Sequence, residues 1–379
     1  MNRSRTPTPA VTGLLSAAAL LVAGCGLFSS QPGQTPAPSP SGDSPSAGVS
    51  ISTETATPGP TRQLVKSITL VASIGEPKNW TPAGLTWNGI ESAAARVGAT
   101  TTLVQPISNA ELDGAIDKAA VAEAGIVVTV GPAAAGAVLA VAGTHPTTQF
   151  FELDVVVPQS APANVHGLVF DEAEAGYLAG FVAASFSSSG TVGMVGDVQG
   201  EAPTTNYAAG FGSGATQLKP GFAVDFAYAG TPDSPDKGRT AAAGLVKAGS
   251  DVILAMPSLS GIGAFREACA GKARLVAVDA DAWQTVPDIQ ACLIVSVMKR
   301  YDVAVSAAIV AVAGGRAVSR ESMNDVANGG IALSDFHADV PAGFTPKLDT
   351  VVATLKGGPP RSTAAPSTAG ASPSASAAP

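Results

Sequence analysis

The stretch from residue 64 to residue 356 predicts an α/β protein of two lobes, each a mostly parallel sheet covered by helices on both faces. Short β-rich runs alternate with segments of helical spacing throughout it. Several runs are apolar on both faces, as in Gly125-Ile126-Val127-Val128-Thr129-Val130, the pattern of a strand with helices above and below. The alternation is also long enough to run in two series, one for each lobe.

In the first series, residues 64–71 read as a strand and residues 86–97 as a helix with Trp87, Ile90, Ala94 and Val97 on one face. A strand at 101–104, a helix at 109–124 with Asn109 as its candidate cap, and strands at 125–131 and 148–153 around a helix at 133–142 complete it. The second series has strands at 165–170, 191–195, 223–228, 251–255, 274–278 and 293–297. Helices at 172–185, 205–217, 235–248, 262–270 and 301–313 alternate with them, and 330–333 is a last short strand. Gly176 and Gly180 mark a close-packed face, and Asp233 or Ser234 is placed to cap the helix at 235. Ligands of open α/β sheets gather at the carboxyl ends of strands. That directs attention to residues 75–83, Gly131-Pro132, Asp154, 196–207, 256–263 and 279–281.

The formal charge is −8, and only three cysteines and three histidines are present. An acidic surface repels phosphate backbones, which argues against nucleic-acid binding. So few Cys and His supply neither a disulfide framework nor a Cys/His zinc cluster.

The ends read as separate from the fold. Arg3 and Arg5 precede an apolar run at 11–23, too short for a bilayer span and suited to a signal peptide over residues 1–24. Leu21-Val22-Ala23-Gly24-Cys25 resembles the lipobox of bacterial lipoproteins, which makes Cys25 the expected acylated N-terminus. Residues 25–62 are a Pro/Ser-rich tether and residues 357–379 a low-complexity tail, both expected to be disordered.

Several ordered motifs then agree with one family. Glu172 to Ala184 (EAEAGYLAGFVAA), Gly190 to Gly196 (GTVGMVG), Tyr207-Ala208-Ala209-Gly210-Phe211, Ser260-Gly261-Ile262-Gly263, Val278-Asp279-Ala280-Asp281, Ser296-Val297-Met298-Lys299-Arg300 and Gly330 to Phe336 (GIALSDF) resemble the basic membrane protein family. These are purine-nucleoside receptor lipoproteins that serve ABC importers. The resemblance covers about residues 64–356 and is most specific from 165 onward. It implies a type I periplasmic-binding-protein fold, with two Rossmann-like lobes, three crossover segments and a ligand cleft between the lobes. The crossovers fall near Phe170-Asp171, Ser296 and Gly330. Lobe one is then 64–170 plus 296–329, and lobe two is 171–295 plus 330–356.

Position by position, the resemblance makes Asp279 the acceptor of ribose hydroxyls, which suits a carboxylate because it only accepts and can hold two hydroxyls at once. Lys299 would donate to the ribose or steady Asp279. Gly261 and Gly263 match a Gly-x-Gly turn that lets backbone approach the ligand beside Met256, and Tyr207 matches an aromatic packed near the cleft. The first loop departs from the family's Asp-Lys-Ser-Phe-Asn run. Asn79 stands at the acid and Pro82 at the phenylalanine, with Trp80 as a replacement stacking face, and Gly131-Pro132 removes a second aromatic. The ribose side is thereby kept and the base side rebuilt.

Other features have plainer readings. Asp233 and Asp236 flank a helix cap without further carboxylates at metal spacing. Gly210 to Gly214 lies in a helical pattern and not after a strand, so it fails as a dinucleotide loop. His145, His166 and His337 are isolated and read as surface or loop residues. Cys269 and Cys292 flank the strand of Asp279 and are expected to pair in an oxidising compartment, two buried thiols being the alternative.

The expectation is a lipid-anchored, monomeric substrate-binding protein of an ABC importer. It would work on the extracytoplasmic face of the membrane without cofactor or catalysis, handing a small polar solute, a nucleoside first, to a separate ABC permease. A lipoprotein that reports its ligand to a membrane partner, and a receptor for another solute such as a sugar, are the alternatives.

Overall fold

The computed structural model describes residues 65–72, 81–106, 108–121, 125–218 and 221–357. The expected signal peptide, Cys25, the expected tether, Asn79, Trp80 and residues 358–379 lie outside the described residues. The first lobe starts with β1 (Ser67–Val71), α1 (Pro82–Val97), β2 (Thr100–Val104), α2 (Asn109–Ala120), β3 (Gly125–Val130), α3 (Ala135–Ala142), β4 (Gln149–Leu153) and β5 (Val165–Phe170). The second series is α4 (Glu172–Phe186), β6 (Thr191–Gly196), α5 (Thr204–Leu218), β7 (Ala223–Tyr228), α6 (Pro235–Ala248), β8 (Val252–Ala255), α7 (Leu259–Ala270), β9 (Arg274–Asp279), α8 (Ala282–Thr285) and β10 (Leu293–Lys299). The chain then adds α9 (Tyr301–Ala313), β11 (Glu321–Asn324), β12 (Ile331–Leu333) and α10 (Phe344–Lys356).

One sheet has the order β2-β1-β3-β4-β5-β11 and the other β7-β6-β8-β9-β10-β12. All pairs are parallel except β10 with β12. The two orders are the same winding, so β4 and β9 hold equivalent places. β3 and β5 are buried along their whole length, whereas the edge strands β2 and β7 are half-exposed. This accounts for the largely apolar runs in the first pair, broken by the buried Thr129 and His166, and for the Thr and Asp in the second.

The crossings lie at Phe170–Asp171, at Arg300 and over residues 325–330. The second is later than the Ser296 position, because Ser296 to Met298 continue β10 in register with Ala277 to Asp279, and Lys299 still pairs with Ile331 of β12. The crossings bind one another: Asp171 N donates to Asn324 O (2.9 Å), Arg300 N to Gly330 O (2.7 Å) and Val326 N to the buried carboxylate of Glu174 (2.9 Å).

Local chemistry explains the helix starts. Ser234 caps α6, and Ser108 rather than Asn109 caps α2, its Oγ accepting from Glu111 N. α7 begins at Leu259, capped by Ser258, so Gly261 and Gly263 sit inside the helix and not in a turn before it. A Cβ on Gly261 would stand 1.7 Å from Met256 O, so the residue is small to let β8's exit pass. α4 and α5 cross through Gly176, Gly180, Gly210 and Gly214, where any Cβ would meet the opposite backbone within 2.4 Å. That contact presses α5, and with it Tyr207, against the second sheet. His166 is not a surface residue: it is buried in β5, where Nε2 meets Gln149 Oε1 (2.9 Å) and Nδ1 meets Ser319 O (3.0 Å). β11 and α10 had no counterpart in the sequence reading.

Candidate functional site

The carboxyl ends of the two sheets face one cavity of about 570 Å³, within the range that encloses small ligands. β3 contributes Val130 and Gly131, β4 leads into Asp154, β8 leads into Met256 and Pro257, and β9 ends on Asp279. Thr81 to Ala83 at the start of α1 and Tyr301 at the start of α9 complete the side of the first lobe.

Asp154 and Asp279 are non-glycine residues with left-handed backbone, φ 61° and 69°. Such conformations cost energy and persist where packing enforces them. Here both place a carboxylate at a strand end, and both carboxylates reach one ammonium. Lys299 Nζ lies 3.0 and 2.9 Å from the two oxygens of Asp154, 3.2 Å from Glu172 Oε1 and 3.5 Å from Asp279 Oδ2. It also stands 5.8 Å from the ring centre of Phe170 and 5.9 Å from that of Tyr207.

Two hydroxyls and an amide complete the shell. Tyr207 donates to Asp279 Oδ1, Tyr301 donates to Asp154 Oδ2 (3.2 Å), and Asn206 Nδ2 donates to Glu172 Oε2 (2.9 Å).

Three carboxylates around one ammonium leave the cluster negative. Burial, the largest single influence, pulls the Lys299 ammonium down, but Asp279, Asp154 and Glu172 together outweigh it and hold its pKa above the ordinary lysine value. Burial pushes the Asp279 carboxyl up against the opposing pull of Lys299, and it pushes Glu172 up in the same way. Lys299 is therefore a cation throughout the usual pH range, and the proton affinity of Asp279 and Glu172 is raised.

Exposure separates the roles. The Lys299 side chain is 1% exposed and absent from the cavity wall, whereas Asp154 is 28% exposed and lines it. Lys299 lies behind the wall, nearer to Asp154 and Glu172 than to Asp279. Tyr207 is likewise fully buried and reaches the cavity only through Asp279. Met256 and Asp279 line the cavity, while Gly261 serves the packing of α7.

Asp154 was visible in the sequence only as a polar residue after a strand, and Glu172 and Tyr301 only as helix starts. Their meeting depends on the crossings. Cys269 and Cys292 are joined in a disulfide, Cα to Cα 5.7 Å, tying the end of α7 to the entry of β10.

A ligand-sized cavity between the strand ends of two like-wound lobes, joined by three crossings, is the plan of a two-lobed solute-binding protein. Solved structures agree on the fold. An ABC transporter system solute-binding protein from Conexibacter woesei is 23% identical with TM-score 0.65, the match covering 78% of this chain and 97% of that one. One from Aeropyrum pernix is 23% identical with TM-score 0.58, covering 77% and 86%.

The family described as ABC transporter substrate-binding protein PnrA-like matches residues 84–344, and the chain belongs to it. Among its curated relatives, the ABC transporter nucleoside-binding protein BmpA of Lactococcus lactis subsp. cremoris is 33% identical over 129 residues, 34% of this chain and 36% of that protein. The CD4+ T-cell-stimulating antigen of Listeria innocua is 28% identical over 187 residues, 48% and 52% of the two chains. The chain thus spans about a third to a half of the length of these curated relatives.

Proposed function

We propose that this protein is the solute receptor of an ABC importer, anchored through acylated Cys25 on the extracytoplasmic face, and that its solute is a nucleoside. Asp279 accepts hydrogen bonds from the sugar hydroxyls, Asp154 accepts from the side of the other lobe, and Lys299 holds the two carboxylates in register. Ligand bridging both lobes favours the closed form, by the hinge motion open to two-lobed receptors. The closed form docks on a separate permease.

The observation that carries the reading is the sharing of Lys299 by two cavity carboxylates from opposite lobes. A wall with carboxylates and, among the described residues, no cationic side chain suits neutral donors such as a diol and disfavours phosphates. The name of the Lactococcus relative, a nucleoside-binding protein, points the same way.

A thermal-shift screen of the purified protein against adenosine, guanosine, inosine, AMP, free bases and sugars tests it. A nucleoside at 100 times its dissociation constant adds about 2.7 kcal/mol of stability. The expected result is a rise in melting temperature with nucleosides and none with AMP. A rise with a non-nucleoside and none with the three nucleosides overturns the ligand assignment.

A further inference from the structure

The cavity wall is uneven in chemistry. Its ionisable side chains, Asp154, Asp279 and Tyr301, cluster on the Lys299 side. The wall built by α7 and by the chain from β9 into α8 is apolar, with Ile262, Phe265, Ala282 and Val286 on it and Thr285 as its one hydroxyl among the described residues. Phe265, Ala277, Ala282 and Val286 also belong to the hydrophobic core between the second sheet and α6 and α7, and each is at most 6% exposed. The cavity therefore does not stop at the cleft floor but reaches that core. The alanines at 277, 280 and 282 line this part of it.

Nearby polar side chains are already engaged. Asp281 Oδ1 accepts from Trp283 N (3.1 Å), and Ser258 Oγ donates to Asp197 (2.6 Å) while accepting from Gly261 N (3.0 Å).

We infer that the non-sugar part of the solute enters this recess between α7 and α8 and is selected by hydrophobic contact with Ile262, Phe265 and Val286 rather than by hydrogen bonds to its edge. The favoured solutes are then ribosides with an aromatic or alkyl aglycone, the purine nucleosides being one case. This rests on the reading of Asp279 as the group that binds the sugar hydroxyls. Burying apolar surface in a preformed recess rewards area and is tolerant of hydrogen-bonding pattern, so a riboside without any base edge should still bind.

The test is calorimetric titration of the full chain with D-ribose, benzyl β-D-ribofuranoside, adenosine, guanosine and inosine. The same titrations are run on Ile262→Ala and Thr285→Trp, both at partly exposed positions, with melting curves to confirm folding. The benzyl riboside is expected to bind at least about tenfold more tightly than D-ribose, an advantage of the size that a buried ring gives. Thr285→Trp, which fills the recess, should remove that advantage, and Ile262→Ala should reduce it.

A benzyl riboside no tighter than D-ribose, or an advantage untouched by both variants, overturns the recess. Adenosine bound without any such advantage overturns the recess while leaving the nucleoside reading intact. An advantage with all three nucleosides silent supports the recess and overturns the nucleoside reading. No binding by any riboside overturns both.

Discussion

Asp154 and Asp279 end equivalent strands of two different sheets, share a left-handed backbone, and bind the same ammonium, that of Lys299. The lysine is a joint between lobes as much as a part of the site. Any relative motion of the lobes has to keep or exchange its partners.

Lys299→Met removes the one cation among three buried or part-buried carboxylates. Breaking a buried pair on one side typically costs about 3–5 kcal/mol. The urea midpoint should fall accordingly, and an unchanged midpoint would show that the cluster contributes nothing to stability.

Asp279→Asn keeps the shape of the side chain and removes its charge. A hydrogen bond to a charged group contributes about 1.5–3 kcal/mol, which corresponds to about a 10- to 100-fold loss of affinity for the proposed nucleoside. Because burial raises the pKa of Asp279, wild-type affinity should fall on acidification at a higher pH than for an ordinary carboxylate. Titration calorimetry across pH checks both; affinity independent of this substitution removes Asp279 from the site.

Glu152 lies in β4 with neither oxygen hydrogen-bonded, opposite Thr129, whose hydroxyl is equally unpaired. Burial pushes its carboxyl from 4.5 up to about 7. With the folded pKa raised, its contribution is most favourable below the unfolded value near 4.5 and is lost as pH rises through about 7. Glu152→Gln should therefore raise stability above neutrality by roughly 3 kcal/mol or less and leave acidic stability nearly unchanged. Denaturant melts at pH 5 and pH 8 decide this, and an equal effect at both would rule out titration as the cause.

Reducing the Cys269–Cys292 bridge frees a loop of 23 residues that contains β9 and Asp279. Chain entropy alone predicts a loss of about 3 kcal/mol. Melting with and without reductant measures it, and an unchanged curve would mean that the bridge does not constrain the unfolded chain.

The alternation of apolar runs and helical spacings was enough for two series of parallel strands covered by helices, since a strand buried on both faces and a helix buried on one leave different periods in the residues; the order of the strands was not in it. Ser234 as a cap and Gly176 and Gly180 as a contact face were legible for the same reason: each is a local demand of backbone geometry. β11 (Glu321–Asn324) was not, because an edge strand of Glu, Ser, Met and Asn owes its place to pairing with β5 and has no apolar period of its own. Nor was α10, whose buried Phe344, Val351 and Leu355 matter only once α4, with Phe181 and Phe186, is there to receive it.

At the site, Asp279 and Lys299 were put forward by the resemblance to the family, carried by motifs around strand ends, and not by their residue types alone. That Lys299 sits behind the wall, that Asp154 is its nearer partner, and that Glu172 and two tyrosines close the shell depend on residues as much as 147 positions apart. Periodicity reports which face of an element is buried. It does not report which distant charge will be buried opposite it, because that is fixed only when three crossings bring the ends of two sheets together.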